Sequence, residues 1–254
     1  MGFFDNVTAA EYARFMGRYS EPLAARFADL AGVRAGHAVL DVGCGPGALT
    51  AELVRRLGPA NVFAVEPSPS FAAAVRDRLP GVDVRVGAAE QLPFADGTFD
   101  VTAAQLVVHF MADPVAGLRE MARVTRPGGT VAACVWDYGC GRSPITLFWR
   151  AVREHDPSAT DGSDRAGASA GHLTALFEQA GLRGAQETTL TVSTRYGTFE
   201  QWWETFELGI GPAGAYLTGL PQADREAIRA HCQRLLPPEP VELSATTWAV
   251  RCQV

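Results

Sequence analysis

The stretch Val39-Leu40-Asp41-Val42-Gly43-Cys44-Gly45-Pro46-Gly47-Ala48-Leu49-Thr50 decides the fold. An apolar run that reads as a strand passes straight into three spaced glycines and then into a helical segment. Without Cβ atoms at Gly43, Gly45 and Gly47 a ligand can lie against the backbone, and the helix that follows offers free N–H groups. A phosphate is the common occupant of such a turn. Here, however, the glycines are spaced G-x-G-x-G and not G-x-G-x-x-G, so the dinucleotide fingerprint is not met. Asp41, at the strand end, would repel a pyrophosphate and suits an amino group or a cation.

Outward from this stretch, short apolar runs alternate with helical segments. Ala38–Val42, Val62–Val65, Val82–Val86, Asp100–Ala104 and Thr130–Val135 read as strands. Helices are expected over Ala48–Leu57, Ser70–Leu79 and Pro114–Val124, the last stopped by a Pro127-Gly128-Gly129 turn. Such alternation predicts a parallel sheet with helices on both faces. Ligands then bind beyond the carboxyl ends of the strands, at the point where strand order reverses.

The flanks are helical. Residues 1–35 read as two amphipathic helices, the first opened by a Thr8/Glu11 capping box, the second capped by Ser20 with Pro22 in its first turn. Tyr12, Phe15, Met16 and Tyr19 fall at helical spacing. Asp156–Ala170, rich in Ser, Gly, Asp and Ala, reads as a mobile loop. His172–Ala180, Thr198–Leu208 and Gln222–Leu235 read as helices, the last two separated by a Gly/Pro-rich stretch. Gln186–Val192 and Thr246–Gln253 read as strands, with Pro237-Pro238-Glu239-Pro240 as a rigid spacer before the final one.

Composition removes several chemistries. All 22 basic residues are Arg, and Lys is absent. There is thus no P-loop lysine, no lysine for a Schiff base and no kinase strand lysine. A coding bias towards Arg explains that absence without functional intent. A net charge of −6 and no basic stripe argue against a nucleic-acid partner. Arg55/Arg56 and Arg119/Arg123/Arg126 fit solvated helix faces. Five cysteines without a CxxC pair argue against a disulfide framework and a zinc ribbon. Asp5 and Glu11 near the start leave no long apolar run for a signal peptide, and Asn6 replaces the Ser or Thr that a myristoylation site at Met1-Gly2 needs. No segment reaches the ~20 apolar residues of a membrane span. A cytoplasmic location is expected.

Two further carboxylates extend the site. Glu66 ends the second strand, 23 residues after Gly43, where a carboxylate accepts hydrogen bonds from both hydroxyls of a ribose. Glu90 follows the third strand, within Gly87-Ala88-Ala89-Glu90-Gln91-Leu92-Pro93-Phe94, where an adenine edge would lie.

With these segments the chain resembles a class I S-adenosylmethionine-dependent methyltransferase, close to the ubiquinone/menaquinone-biosynthesis type that acts on small molecules. The matching residues are Val39 through Gly47, Glu66-Pro67-Ser68, Ala89-Glu90-Gln91-Leu92-Pro93-Phe94, Phe99-Asp100 and Arg123-Val124-Thr125-Arg126-Pro127-Gly128-Gly129, in the family order and spacing over roughly residues 35–137. The resemblance implies a Rossmann-like α/β fold. Its sheet is seven-stranded and mostly parallel, with an antiparallel last strand, helices on both faces and a helical cap. It divides the chain into an N-terminal helical lid (1–35), an S-adenosylmethionine-binding core (36–137), a variable substrate-binding cap carrying the late core helix 172–180 and strand 186–192 (138–240), and the final core strand (241–254).

Roles follow residue by residue from the resemblance. Gly43, Cys44, Gly45 and Gly47 line the methionine and ribose portion, and Asp41 orients the amino-acid end. Glu66 takes the ribose hydroxyls, Pro67 and Ser68 flank the adenine, and Ala89 and Glu90 meet its edge. Gln105 and Leu106 border the methionine tail, and Arg18, Tyr19 and Ser20 are lid residues over the cofactor. Many relatives carry Asp where this chain has Ala88, so the adenine amine needs another acceptor.

His109, just after the fourth strand, is the best single candidate for a catalytic base, a packed histidine being the alternative. Cys44 reads as a small packed residue. Adjacent Trp202 and Trp203 cannot share one helix face, so one is expected to line a cavity or an interface, with a packed cap core as the alternative. His155 and His231 read as surface residues, and no spacing suggests a metal.

The expected activity is methyl transfer from S-adenosylmethionine to an O, N or C nucleophile of a small, partly apolar acceptor, such as a quinone-like or polyketide-like molecule. The expected cofactor pair is S-adenosylmethionine and S-adenosylhomocysteine, without metal, and the chain is expected to be a monomer or homodimer. The alternatives are an S-adenosylmethionine-binding accessory protein that transfers no methyl, and an NAD(P)-dependent oxidoreductase.

Overall fold

The computed structural model describes residues 7–254. The readings on Met1-Gly2, Asp5 and Asn6 lie outside the described residues. In chain order the elements are α1 (Ala9–Tyr12), a π-helical turn Ala13–Gly17, α2 (Arg18–Leu30), β1 (Val39–Val42), α3 (Ala48–Leu57), β2 (Val62–Glu66), α4 (Pro69–Arg78), β3 (Asp83–Val86), β4 (Phe99–Gln105) and α5 (Pro114–Val124). Then come β5 (Thr125–Trp136), α6 (Thr146–His155), α7 (His172–Gln179), β6 (Gln186–Tyr196), α8 (Phe199–Glu207), α9 (Gly211–Gly219), α10 (Gln222–Leu235) and β7 (Val241–Gln253).

One seven-stranded sheet runs in the order β3-β2-β1-β4-β5-β7-β6. β1 pairs in parallel with both β2 and β4, Val39 facing Val62 on one side and Val101 on the other. β7 runs antiparallel to β5 and to β6. All four β1 residues are buried, as a strand covered by helices on both faces requires. Alternate residues feed two core layers. Val39, Ala64, Val101 and Ala103 pack with Leu49 and Leu53 of α3 and Phe27 of α2. Leu40, Val42, Val65 and Ala104 pack with Leu118 and Met121 of α5 and Phe177 of α7. The two-residue period of a strand puts Asp41 and Gln105 on the first of these faces.

Local chemistry starts the helices where the sequence places their signals. The Thr8/Glu11 capping box is formed in both directions. Ser68 caps α4 and Asp113 caps α5, each followed by Pro at the first helical position. Gly47, left-handed at φ 87°, opens α3.

Four expectations need correction. Ser20 caps nothing. The π turn runs directly into α2, so Ser20 is a buried residue inside that helix, with Pro22 one turn in from its start. The Pro127-Gly128-Gly129 turn does not stop α5, which ends at Val124. It forms an irregularity within β5, whose partners jump from Phe99↔Thr125 to Val101↔Thr130. The Gly/Pro-rich stretch before α10 contains helix α9. Gly214 lets that helix turn tightly against Gly209, because a Cβ there would lie 2.6 Å from the Gly209 carbonyl carbon, and burial of Ala213 and Leu217 in the core outweighs poor helix propensity. Helix α6 was not anticipated at all. Its Phe148, Trp149, Ala151 and Val152 are buried.

Candidate functional site

The carboxyl ends of β1, β2 and β4 surround a pocket lined by Asp41, Gly43, Cys44, Gly45, Glu66 and Pro67, with Gln105, Leu106 and Val107 on the opposite wall. Strand order reverses between β1 and β4, which opens a crevice there. The glycine loop is held in place by its own backbone. The amides of Gly43 and Cys44 both donate to the Val65 carbonyl, at 2.8 and 3.1 Å. Gly43 has φ 69°, and a Cβ on it would lie 2.5 Å from Val107 Cγ1, so only glycine fits. At Gly45 a Cβ would meet nothing within 4 Å.

Both carboxylates are buried, Asp41 at 1% and Glu66 at 6% exposure. The Thr50 hydroxyl donates to Asp41 Oδ2 at 2.6 Å. Glu66 accepts the Gly45 amide at Oε2 and the Ser68 amide at Oε1. Neither carboxylate has an ion-pair partner among the described residues. Desolvation pushes the Asp41 carboxyl up to about 7, with Glu66 adding to the rise against the Thr50 bond. Burial also raises Glu66, opposed by its two amide donors. Burial and these two carboxylates hold the Cys44 thiol well above its ordinary value, which suits a packed residue and not a nucleophile.

On the far wall Gln105 Nε2 donates to the Ser20 carbonyl at 3.0 Å, linking β4 to α2. Gln105 Oε1 and Ser20 Oγ are buried without a partner among the described residues, and both residues line the pocket. Unsatisfied buried polar atoms are uncommon enough to mark a ligand position. Leu106, next in line, holds φ 64°, a left-handed conformation that a side-chain-bearing residue seldom adopts.

The other expected site residues are placed elsewhere. Arg18 is exposed, its guanidinium 5.0 Å from the Tyr196 ring. Tyr19 is fully buried, hydrogen-bonded to Tyr196 and edge-on to Trp136. Glu90 Oε1 accepts the amides of Ala112 and Asp113, fastening the loop before α5. Ala89 belongs to the core beneath α5, and Ser68 caps α4. Trp202 and Trp203 line neither the cofactor-side pocket nor the cavities next to it. They pack with Phe148, Phe199 and Phe206 inside the cap.

His109 sits outside this pocket, in a small apolar one beside it, lined by Tyr12, Phe15, Met16, Trp136 and Tyr138. Its ring lies 4.0 Å from that of Phe110. Burial, aided by the Arg165 charge, lowers its pKa to about 3, so the imidazole is neutral. Tyr12, Leu106 and Phe110 line both spaces. Phe71, in the first turn of α4, meets Tyr12 edge-on at 5.8 Å across the mouth. Sequence reasoning missed Phe71 and Val107. The short distance of Phe71 from Glu66-Pro67 was the available signal.

Among the described residues no group of three or more His, Cys, Asp and Glu side chains could hold a metal ion. Among them, too, no helix is long and apolar enough to cross a membrane.

Comparison with known proteins agrees with this architecture. A family model described as a methyltransferase domain matches residues 40–133. An uncharacterised methyltransferase of Mycobacterium sp. (strain KMS) is 33% identical over 211 residues, covering 78% of this chain and 82% of that protein. The chain belongs to the S-adenosylmethionine-dependent methyltransferases. The demethylmenaquinone methyltransferase of Beutenbergia cavernae is 31% identical over 181 residues, covering 64% of this chain and 72% of that one. Two further relatives, from Schizosaccharomyces pombe and Streptomyces fradiae, are matched over only 42% and 46% of their length, so the chain spans about half of each. Among solved structures, the YcgJ protein of Bacillus subtilis superposes with a TM-score of 0.57 at 20% identity, covering 92% of this chain and 97% of that one. At that identity the likeness concerns the fold.

Proposed function

We propose that the chain transfers the sulfonium methyl of S-adenosylmethionine to an O, N or C nucleophile of a small, partly apolar acceptor. The observation that carries this reading is the pair Asp41 and Glu66. They are two buried carboxylates at the ends of adjacent parallel strands, facing a glycine loop without a cation between them. Burying such charge unpaired is costly, and a ligand bearing an ammonium and a sulfonium would relieve it. A dinucleotide would bring a pyrophosphate and worsen it.

In this reading Glu66 takes the ribose hydroxyls with the lone pairs left by its two amide donors. Asp41, Gln105 Oε1 and Ser20 Oγ hold the amino-acid end. Gly43, Cys44 and Gly45 supply backbone surface, Gly47, which does not line the pocket, turns the chain into α3, and Pro67 flanks the adenine. Arg18 and Tyr19 act through the α2–β6 packing. When bound, the cofactor supplies an activated methyl group, so the protein chiefly aligns donor and acceptor, an effect that can be worth about 7–11 kcal/mol. The acceptor enters from the His109 side, where the neutral imidazole can accept a hydrogen bond from the nucleophile and orient it; with a pKa of about 3 it is too weak a base to keep the proton at neutral pH. We assign residues 1–35 and 138–240 to closing the site and choosing the acceptor, and 36–137 with 241–254 to the core. The five free cysteines fit a cytoplasmic setting.

The test is incubation of the protein with methyl-labelled S-adenosylmethionine and a panel of phenols, amines and hydroquinones. Label in an organic product together with S-adenosylhomocysteine release is the expected result. Absence of S-adenosylmethionine binding would overturn the reading.

A further inference from the structure

Beyond the His109 pocket the cap holds a larger cavity of about 670 Å³. The three spaces lie in series. The cofactor-side pocket and the His109 pocket share Tyr12, Leu106 and Phe110. The His109 pocket, only about 30 Å³, shares Phe110, Tyr138, Ile145 and Pro212 with the outer cavity. A narrow, apolar neck thus joins the methyl-donor side to a wide chamber.

The chamber differs from the neck in chemistry. Asp156, Asp161 and Asp164 line it, against Arg165, beside the rings of Trp149 and Tyr216. The Tyr216 hydroxyl donates to Asp156 Oδ2 at 3.0 Å and Ser158 Oγ to its Oδ1 at 2.6 Å, which orients that carboxylate. Asp161 is ion-paired with Arg153. Arg165 stands 5.6 Å from the Phe110 ring at the entrance to the neck. A second, independent feature is Trp149. It is 4% exposed, yet its indole Nε1 is buried without a partner among the described residues, although such an N–H nearly always has one, and as a donor only it calls for a hydrogen-bond acceptor.

An ionised carboxylate can only accept hydrogen bonds. A ligand group beside three of them must bring donors, and one that also meets Trp149 Nε1 must bring an acceptor; a hydroxyl does both, whereas an ammonium only donates and a carboxylate only accepts. An isoprenoid tail would desolvate the same carboxylates without compensation.

We propose that the outer chamber receives the distal end of the methyl acceptor and selects there for hydroxyl groups, which donate to the carboxylates and accept from Trp149 Nε1, against carboxylates, phosphates and isoprenoid chains. The reacting end is apolar or aromatic and passes the neck to His109. This inference rests on the methyltransferase reading and narrows its acceptor class.

The test uses four naphthols with the same reacting hydroxyl, carrying 3-aminopropyl, 3-hydroxypropyl, 3-carboxypropyl or farnesyl tails. Each is titrated calorimetrically into protein saturated with S-adenosylhomocysteine. The hydroxypropyl probe should bind about tenfold tighter than the carboxypropyl and farnesyl probes, the size of one charge-assisted hydrogen bond, and at least as tightly as the aminopropyl probe. Tighter binding of the aminopropyl than of the hydroxypropyl probe would overturn the hydroxyl assignment. Asp164→Asn, at an exposed position that leaves the fold intact, should shrink the preference, and Asp156→Asn with Asp164→Asn should abolish it. Equal or tighter binding of the carboxypropyl or farnesyl probe, no binding of any probe, or an unchanged preference in the double variant would overturn the proposal. If S-adenosylhomocysteine itself fails to bind, the underlying methyltransferase reading falls. If it binds and the tail preference is missing, this inference alone falls.

Discussion

The backbone amide of Gly45 donates to Glu66 Oε2 at 2.8 Å, so the loop that leaves β1 and the side chain that ends β2 hold each other across the pocket. The second oxygen accepts the Ser68 amide at 2.9 Å. Glu66 is therefore fixed in orientation by two backbone donors and not by a cation. A carboxylate preset in this way loses little rotamer freedom when a ligand arrives.

The close approach of the Gly43 loop to Val107 gives a stability prediction. Gly43→Ala introduces both left-handed strain and a Cβ 2.5 Å from Val107 Cγ1. Gly171→Ala, at φ 74° and ψ −16° with nothing within 4 Å, introduces left-handed strain alone. Strain should cost about 1–2 kcal/mol in each, and overpacking should add about 1–3 kcal/mol at Gly43 only. Urea unfolding of the two variants measures the difference, and equal losses would contradict the close contact.

Asp41 makes stability and binding depend on pH. Its folded-state value, about 7, stands above the roughly 3.9 of an unfolded aspartate. Below about pH 4 the group is protonated in both states. Between there and about pH 7 the folded chain keeps a proton that the unfolded chain gives up, so this group's contribution falls as pH rises and then levels off. Asp41→Asn should match the wild type near pH 4 and exceed it at pH 8 by an amount on the order of a few kcal/mol. Because an ammonium-bearing ligand favours the ionised form, S-adenosylhomocysteine affinity should rise through about pH 7 in the wild type and stay flat in the variant. Parallel thermal and calorimetric titrations check both slopes.

His109 is neutral throughout the working pH range, its pKa lying at about 3. The rate of methyl transfer should therefore show no histidine limb between about pH 5 and 8. His109→Ala should lower turnover by about tenfold, the worth of one orienting hydrogen bond, while leaving S-adenosylhomocysteine affinity unchanged. Steady-state rates beside calorimetry separate the two effects, and unaltered turnover would remove His109 from the chemistry.

The parts of the fold readable in the sequence are those set locally. Val39–Gly47 combines a fully apolar strand with glycines that a side chain could not replace, and Ser68-Pro69 and Asp113-Pro114 carry their own helix starts. What escaped notice depends on distant partners. Helix α6 follows Ile145, which offers no capping side chain, so only its Phe148, Trp149, Ala151, Val152 stripe could have announced it. Helix α9 forms despite its glycines by burying Ala213 and Leu217 against the core. Within the site, Asp41, Glu66 and the glycines were legible because strand ends and loop chemistry place them. Glu90 was not, since its partners are amides 22 and 23 residues away. Ser20 passed for a helix cap because nothing in the sequence shows that the helical track runs unbroken from α1 through the π turn into α2. Trp202 and Trp203 both find partners because aromatic rings from α6 and α8 surround them.

The central claim is that the crevice between β1, β2 and β4 holds S-adenosylmethionine through Glu66. Calorimetric titration of S-adenosylhomocysteine into wild-type protein and Glu66→Ala tests it most directly. The account predicts one site per chain in the wild type and a loss of affinity of about 10- to 100-fold in the variant, the worth of hydrogen bonds to a charged group, with the variant still folded. No binding by the wild type, or equal binding by both proteins, would contradict it.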